Sequence, residues 1–229
     1  MSILTETESN HMIQDLHNHT YLSYDGTETP DALIDNAIKN GIDIIGITDH
    51  QFTNSFNFNS YIKLLEDAKD RYKGKCQVKA GLEIGTRPKP DNFLAKTSSG
   101  LLDYCLFECL DSSNGMDLYE FLEWRRLFSC PAGLAHTDIF ALGERYGVDI
   151  FKLMKENNLF WEINISGNYN YYYDFISNPK KRKAVSESGI TLSIGSDTHR
   201  LYEFSKSKLI SANELADSLG NPIIFVREW

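Results

Sequence analysis

Short apolar runs alternate with helix-like segments along nearly the whole chain, and this alternation constrains the fold more than any other feature of the sequence. Eight runs read as strands, at 12–16, 43–48, 77–82, 102–107, 131–135, 159–165, 190–195 and 222–226. Several are apolar at consecutive positions, as strands covered on both faces are. Between them lie helical patterns. The clearest opens at Thr29-Pro30, an N-cap followed by proline at the first helical position, and stops at Gly41. Others cover 59–73, 117–128, 148–157, 179–188 and 211–219. This alternation predicts an α/β fold, a parallel sheet covered by helices. Closed, the sheet is a barrel of the triosephosphate-isomerase kind; open, it is doubly wound. No repeat or Pro/Gly-rich linker divides the chain, so residues 12–229 are expected to form a single domain. The polar, acidic segment 1–11 reads as a flexible tail.

Composition narrows the class of function. No segment of the 229 residues reaches the ~18–20 consecutive apolar residues of a membrane span. Segment 1–11 lacks the basic and apolar regions of a secretory signal. The formal charge of −9 disfavours long nucleic acids, whose binding rests on basic groups at phosphates. Cys76, Cys105, Cys109 and Cys130 form no C-x-x-C pair and are expected to be reduced, packed as small hydrophobes in a cytoplasmic protein.

Chemistry concentrates at the carboxyl ends of the strands. His17 and His19 follow the first, Asp49 and His50 the second, Glu83 the third, His136 the fifth, and Asp197 and His199 the seventh. Five of the six histidines therefore occupy strand ends, which converge on one face of a parallel α/β fold. His17 and His19, two apart on a strand, point the same way, and Asp197 and His199 repeat that relation. Imidazoles and carboxylates brought together without a basic cluster call for divalent cations. The absence of thiolates beside them favours a catalytic N/O site over a structural zinc knot.

These residues resemble the polymerase and histidinol phosphatase (PHP) superfamily. Its pattern is met by His17-Asn18-His19-Thr20, Thr48-Asp49-His50, Gly81-Leu82-Glu83, Ala135-His136, Glu162-Ile163-Asn164 and Ser196-Asp197-Thr198-His199, in order over residues 12–200. The resemblance implies a distorted barrel of seven β/α units, with 222–226 an extra C-terminal strand. It implies two or three divalent metal ions, Zn, Mn or Fe. His17, His19, Glu83 and Asp197 would hold one, with Glu83 bridging to a second that also uses His136. Asp25, His50 and His199 would hold a third, although Tyr24-Asp25-Gly26 also reads as a plain turn. The family pattern has a histidine ending the fourth strand, where this chain has Leu110. Glu108 shares a strand face with that position and reads either as a substitute ligand or as an ordinary buried carboxylate.

The expected reaction is hydrolysis of a phosphate ester by metal-activated water. No nucleophile elbow or Walker loop suggests another route. Glu83, Asp197 and His199 are the catalytic candidates, and Arg200, Arg87 and Asn164 the substrate-binding ones. The substrate expected is a small phosphomonoester, with histidinol phosphate a candidate. The alternatives are a phosphodiesterase or exonuclease acting on short nucleotides, and a non-catalytic metal-binding domain. The basic run Lys180–Lys183 reads as a solvated helical face, and the tyrosines of 169–173 as packing or stacking groups near the site.

Overall fold

The computed structural model describes residues 12–52, 55–87 and 100–226, and every strand pairing within them is parallel. Strands β1 (Gln14–Asp15), β2 (Ile44–Ile47) and β3 (Gln77–Ala80) form one sheet. A second sheet holds β4 (Glu83–Gly85), β5 (Cys105–Glu108), β6 (Ala132–Leu134), β7 (Leu159–Asn164) and β8 (Leu192–Gly195), also in chain order. Only Gly81 and Leu82 separate β3 from β4, so a single passage of chain serves both sheets. Gly81 N–H donates to Ile47 O at 2.8 Å on one side, and Leu82 O accepts from Leu106 N–H at 2.9 Å on the other. The remaining edges meet where Leu16 N–H donates to Ile194 O at 2.8 Å and Asn18 bridges to Thr198. The seven strand passages between residues 12 and 195 thus follow one another around a distorted TIM-like ring. The eighth run is corrected to a single bridge between Ile223 and Leu192. Phe225 takes a left-handed φ of 64°, which ends the extended backbone before a strand can form.

Helix α1 (Pro30–Asn40) has the expected limits. Thr29 Oγ1 accepts from Ala32 N–H at 3.1 Å, and Gly41 closes the helix at φ 74°. The other helices are α2 (Ser55–Arg71), α3 (Leu118–Arg125), α4 (Ile139–Tyr146), α5 (Ile150–Glu156), α6 (Asn170–Ser177), α7 (Pro179–Ser188) and α8 (Lys206–Leu219). Two of these, α4 and α6, were not expected. Asp138 caps α4 through Phe140 N–H and Ala141 N–H, whereas α6 has no side-chain cap and is held by burying Tyr171, Tyr172 and Phe175.

Leu16, Ile44, Tyr104, Leu106, Ala135, Phe160 and Ile224 pack together as one core cluster, separate from the larger one beneath the helices. Gly133 lets the ring of Phe160 lie where a Cβ would stand. All four cysteines are free, and the Cys105 and Cys130 sulfurs lie 3.2 Å apart. Among the described residues no helix is long and apolar enough to cross a membrane. The expected tail, 1–11, lies outside the described residues.

Candidate metal centre

Glu83, the first residue of β4, lies at the middle of the converging strand ends and is almost wholly buried. Its Oε1 is 3.3 Å from His17 Nε2 and 3.0 Å from His136 Nε2, and its Oε2 is 3.4 Å from His19 Nε2 and 3.2 Å from His50 Nδ1. Four imidazoles from three strand ends therefore share one carboxylate. Asp197 Oδ1 lies 3.5 Å from His17 Nε2, 3.4 Å from His19 Nε2 and 3.7 Å from His199 Nδ1. Asp25 Oδ2 lies 3.4 Å from His50 Nε2 and 3.2 Å from His199 Nε2. The donors fall into three groups with ligand atoms within 4.8 Å of one another: His17, His19 and Glu83; Glu83, Glu108 and His136; and His19, Asp25, His50 and His199.

A surrounding set of hydrogen bonds turns these imidazoles the right way for ligation. Glu162 Oε1 accepts from His17 Nδ1–H at 2.6 Å. Ser23 gives its hydroxyl proton to Asp49 at 2.8 Å, so its Oγ accepts from His19 Nδ1–H at 3.1 Å. His199 Nδ1–H donates to Asp197 O at 2.9 Å. In these three rings Nδ1–H is held outward and Nε2 is turned inward, the orientation of a metal-ligating histidine. Asp25 Oδ1 is buried with no hydrogen-bond partner, and the Nε2 atoms of His17 and His19 face each other at 3.1 Å. Among the described residues the ion-pair partners of Glu83 and Asp197 are all histidines. This donor set fits divalent cations.

Charge on the bare protein follows the same geometry. Burial disfavours a charged His17, but the carboxylates of Glu162, Glu83 and Asp197 outweigh it and raise the pKa well above the ordinary value. His136 is raised against the same burial, chiefly by its bond to Glu83. Burial also opposes ionisation of Glu83 and Asp197, yet the neighbouring histidines, His17 foremost, hold both below the usual carboxylate range. A cation must displace the protons on these imidazoles.

Three strand ends turn through the left-handed region at non-glycine residues: Cys109 (φ 66°), His136 (φ 31°) and Asp197 (φ 57°). Such turns cost on the order of 1–3 kcal/mol each and persist where neighbours enforce them. Here Glu162 Oε2 accepts His136 N–H at 2.7 Å, and His17 O accepts Asp197 N–H at 2.8 Å. Two carboxylates that the sequence reading left without a role thus organise the centre. Glu162 holds both His17 and His136. Asp49 accepts Thr20 N–H at 2.6 Å and Thr20 Oγ1–H at 2.7 Å, fixing the loop that carries Ser23 and Asp25.

Of the substrate-binding candidates, Asn164 is fully buried. Its amide donates to Glu162 Oε2 at 3.2 Å and its Oδ1 accepts from Ser166 N–H at 3.0 Å, so it supports the centre from below rather than facing substrate. Arg200 pairs with Glu203 at 3.1 Å and lines a cleft of about 370 Å³ with Asp25, Ser166, Asn168, Ser196, Asp197 and His199. Arg87 is exposed, and its charge acts on Tyr24 and Cys109. Lys208 Nζ overlies Gly167 beside that cleft, a cation with no motif to mark it. A second cleft, of about 410 Å³, has Glu108, His136 and Tyr169 in its lining, together with Asp111 and Asp138. The Tyr169 ring stacks on His136 at 4.3 Å, and Tyr24 stacks on His50 at 4.7 Å. Leu110, at the position of the family histidine, is 1% exposed and packs in the core.

The PHP domain family model matches residues 15–124, which include His17, His19, Asp25, His50 and Glu83. That stretch of the chain is similar to a PHP domain. His136, Glu162, Asp197 and His199 lie beyond the matched stretch but complete the same ring of strand ends. The fold resembles that of the histidinol phosphate phosphatase of Lactococcus lactis subsp. lactis Il1403, solved with zinc, L-histidinol and phosphate. The TM-score is 0.63 at 19% identity, over 92% of this chain and 95% of that one. It also resembles the putative histidinol phosphatase of Listeria monocytogenes, with a TM-score of 0.61 at 15% identity, over 84% of this chain and 97% of that one. No curated protein matches the chain by sequence.

Proposed function

We propose that this protein is a metal-dependent phosphatase that hydrolyses a small phosphomonoester, with histidinol phosphate the first candidate substrate. The observation that carries the reading is the Glu83 carboxylate shared by His17, His19, His50 and His136, with Asp197 and His199 alongside. His17, His19, Glu83 and Asp197 would hold one cation, Glu83 and His136 would take part in a second, and Asp25, His50 and His199 in a third. The donors suit Zn, Mn or Fe. Adjacent divalent cations supply an activated water and neutralise charge on phosphoryl oxygens.

The chain's own groups do the rest. Glu162 keeps the Nδ1 proton on His17, and Ser23 with Asp49 does the same for His19, so both Nε2 atoms stay directed at the centre. Glu83, Asp197 and His199 are the catalytic groups in this reading. Arg200 can leave Glu203 to meet a phosphate in the cleft it shares with His199, using a charge-assisted pair of hydrogen bonds. Arg87 and Lys208 add positive charge at the rim. The second cleft suits the organic half of such a substrate. Asp111 and Asp138 favour a cationic amine, and the Tyr169 ring favours a flat heterocycle. An amino alcohol phosphate bearing an imidazole combines these features. The barrel is read as one domain over 12–229, and its free thiols suit a reducing cytoplasm.

The test is phosphate release with added Mn2+ from histidinol phosphate, p-nitrophenyl phosphate, its bis ester and short oligonucleotides. Histidinol phosphate should give the highest kcat/KM. Preference for the bis ester or the oligonucleotides would replace this reading with a phosphodiesterase.

A further inference from the structure

Building on the reading of this centre as a metal site, we propose that Glu108 is a metal ligand that stands in for the missing fourth-strand histidine. With Glu83 and His136 it would form an oxygen-rich subsite whose preference is shifted toward a harder cation such as Mn2+.

Glu108 is the last residue of β5 and pairs in register with Gly85 of β4. Glu108 Oε1 lies over Gly85, 3.5 Å from where a Cβ would stand, an ordinary contact distance. The backbone of Glu108 is pinned, because its carbonyl accepts Thr86 N–H at 3.1 Å and Thr86 Oγ1–H at 2.7 Å. Immediately afterwards Cys109 turns at φ 66°, and Leu110 goes into the core. The chain thus withdraws position 110 from the centre while presenting position 108 to it. Glu108 offers a ligand atom within 4.8 Å of those of Glu83 and His136, and its Oε1 lies 3.9 Å from His50 Nδ1. Its Oε2 accepts the Cys109 thiol proton at 3.3 Å, which orients the carboxylate.

The consequence is chemical. Two carboxylates and one imidazole balance the charge of a divalent cation and present mostly hard oxygen donors. The group of His19, Asp25, His50 and His199 is instead dominated by nitrogen. Carboxylate oxygen suits Mg2+ and Mn2+, whereas imidazole suits Zn2+. A histidine at the fourth strand would make the two subsites alike; a glutamate separates them.

The experiment measures bound metal rather than activity. Metal-free protein is dialysed to equilibrium against Mn2+ or Zn2+, and metal per chain is counted by mass spectrometry for wild type, Glu108→Gln, Glu108→His and Cys109→Ser. Glu108→Gln should lose one equivalent of Mn2+ at a concentration that saturates wild type, with its dissociation constant raised about tenfold or more. Glu108→His should retain the equivalent but move the Mn2+ to Zn2+ preference about tenfold toward Zn2+. Cys109→Ser should keep the wild-type count. A Glu108→Gln protein with wild-type Mn2+ stoichiometry and affinity overturns the proposal while leaving the metal reading intact, as does a Glu108→His protein with unchanged preference. Wild type that binds neither metal overturns both.

Discussion

Replacing Glu162 by glutamine changes one buried atom and tests whether this carboxylate sets the centre. Glu162 is 1% exposed and accepts three hydrogen bonds, from His17 Nδ1–H at 2.6 Å, His136 N–H at 2.7 Å and the Asn164 amide at 3.2 Å. An amide has one acceptor oxygen. If that oxygen stays on His136 N–H, the new NH2 group faces His17 Nδ1, and the ring must move its proton to Nε2, the atom aimed at Glu83 and His19. If the amide is reversed, the NH2 group meets His136 N–H, and the strained turn at φ 31° loses its support. Loss of a hydrogen-bond partner behind a ligating histidine typically weakens metal binding tenfold to hundredfold. That is about 1.4–2.7 kcal/mol. A buried donor left unmet costs the metal-free fold about 1–3 kcal/mol. The assay is equilibrium dialysis of Mn2+ or Zn2+, paired with histidine 15N spectra that report the Nδ1-protonated tautomer of His17. Metal affinity within about twofold of wild type, with that tautomer preserved, would refute the reasoning.

Four other predictions follow from the same geometry. His17 and His136 are raised, so they hold protons near neutrality that a cation must displace; metal affinity should increase with pH, and titration calorimetry in buffers of different ionisation heat should show proton release. For the metal-free protein, lowered Glu83 and Asp197 contribute stability that is lost as pH falls below the usual carboxylate range of about 4. Raised His17 contributes stability that is full below about 6.5 and lost as pH rises through its folded pKa, so the melting temperature should peak between these limits and bound metal should abolish the alkaline decline. Gly195→Ala would place a Cβ 2.1 Å from Glu162 Oε1 and 2.5 Å from His17 Cβ, so differential scanning calorimetry should show destabilisation of about 1–3 kcal/mol, with weaker metal binding. Arg200→Ala, tested by steady-state kinetics, should raise KM or phosphate Ki by about tenfold to hundredfold, the worth of a charged hydrogen bond, while bound metal stays at the wild-type count.

The strand order was legible because each buried strand is a short apolar run and its carboxyl end carries a polar signature. His17, His50, Glu83, His136 and Asp197 could all be placed at one mouth from local sequence alone. Helix α1 was legible for the same reason, since Thr29, Pro30 and Gly41 act within a few residues of themselves. Helix α6 was not, because tertiary burial of Tyr171, Tyr172 and Phe175 holds it without a capping side chain. The 222–226 run misled because apolarity announces burial, and Phe225 bends out of the extended region after one bridge. The roles of Glu162 and Asp49 needed the fold. Glu162 acts on His17 across 145 residues of sequence, and a glutamate within an apolar strand carries no mark of its partner. Asn164 stood in the right motif, but its buried amide donates to Glu162, a partner the motif does not reveal. Leu110 flagged a departure whose resolution depends on the backbone turn at Cys109.

The measurement that bears most directly on the central claim is phosphate release from histidinol phosphate by protein stripped with a chelator and then resupplied with Mn2+ or Zn2+, for wild type and Asp197→Ala. Activity should vanish on chelation, return with metal in wild type, and stay absent in Asp197→Ala. Hydrolysis that survives both chelation and the loss of Asp197 would contradict the assignment of this strand-end cluster as a metal-dependent phosphatase site.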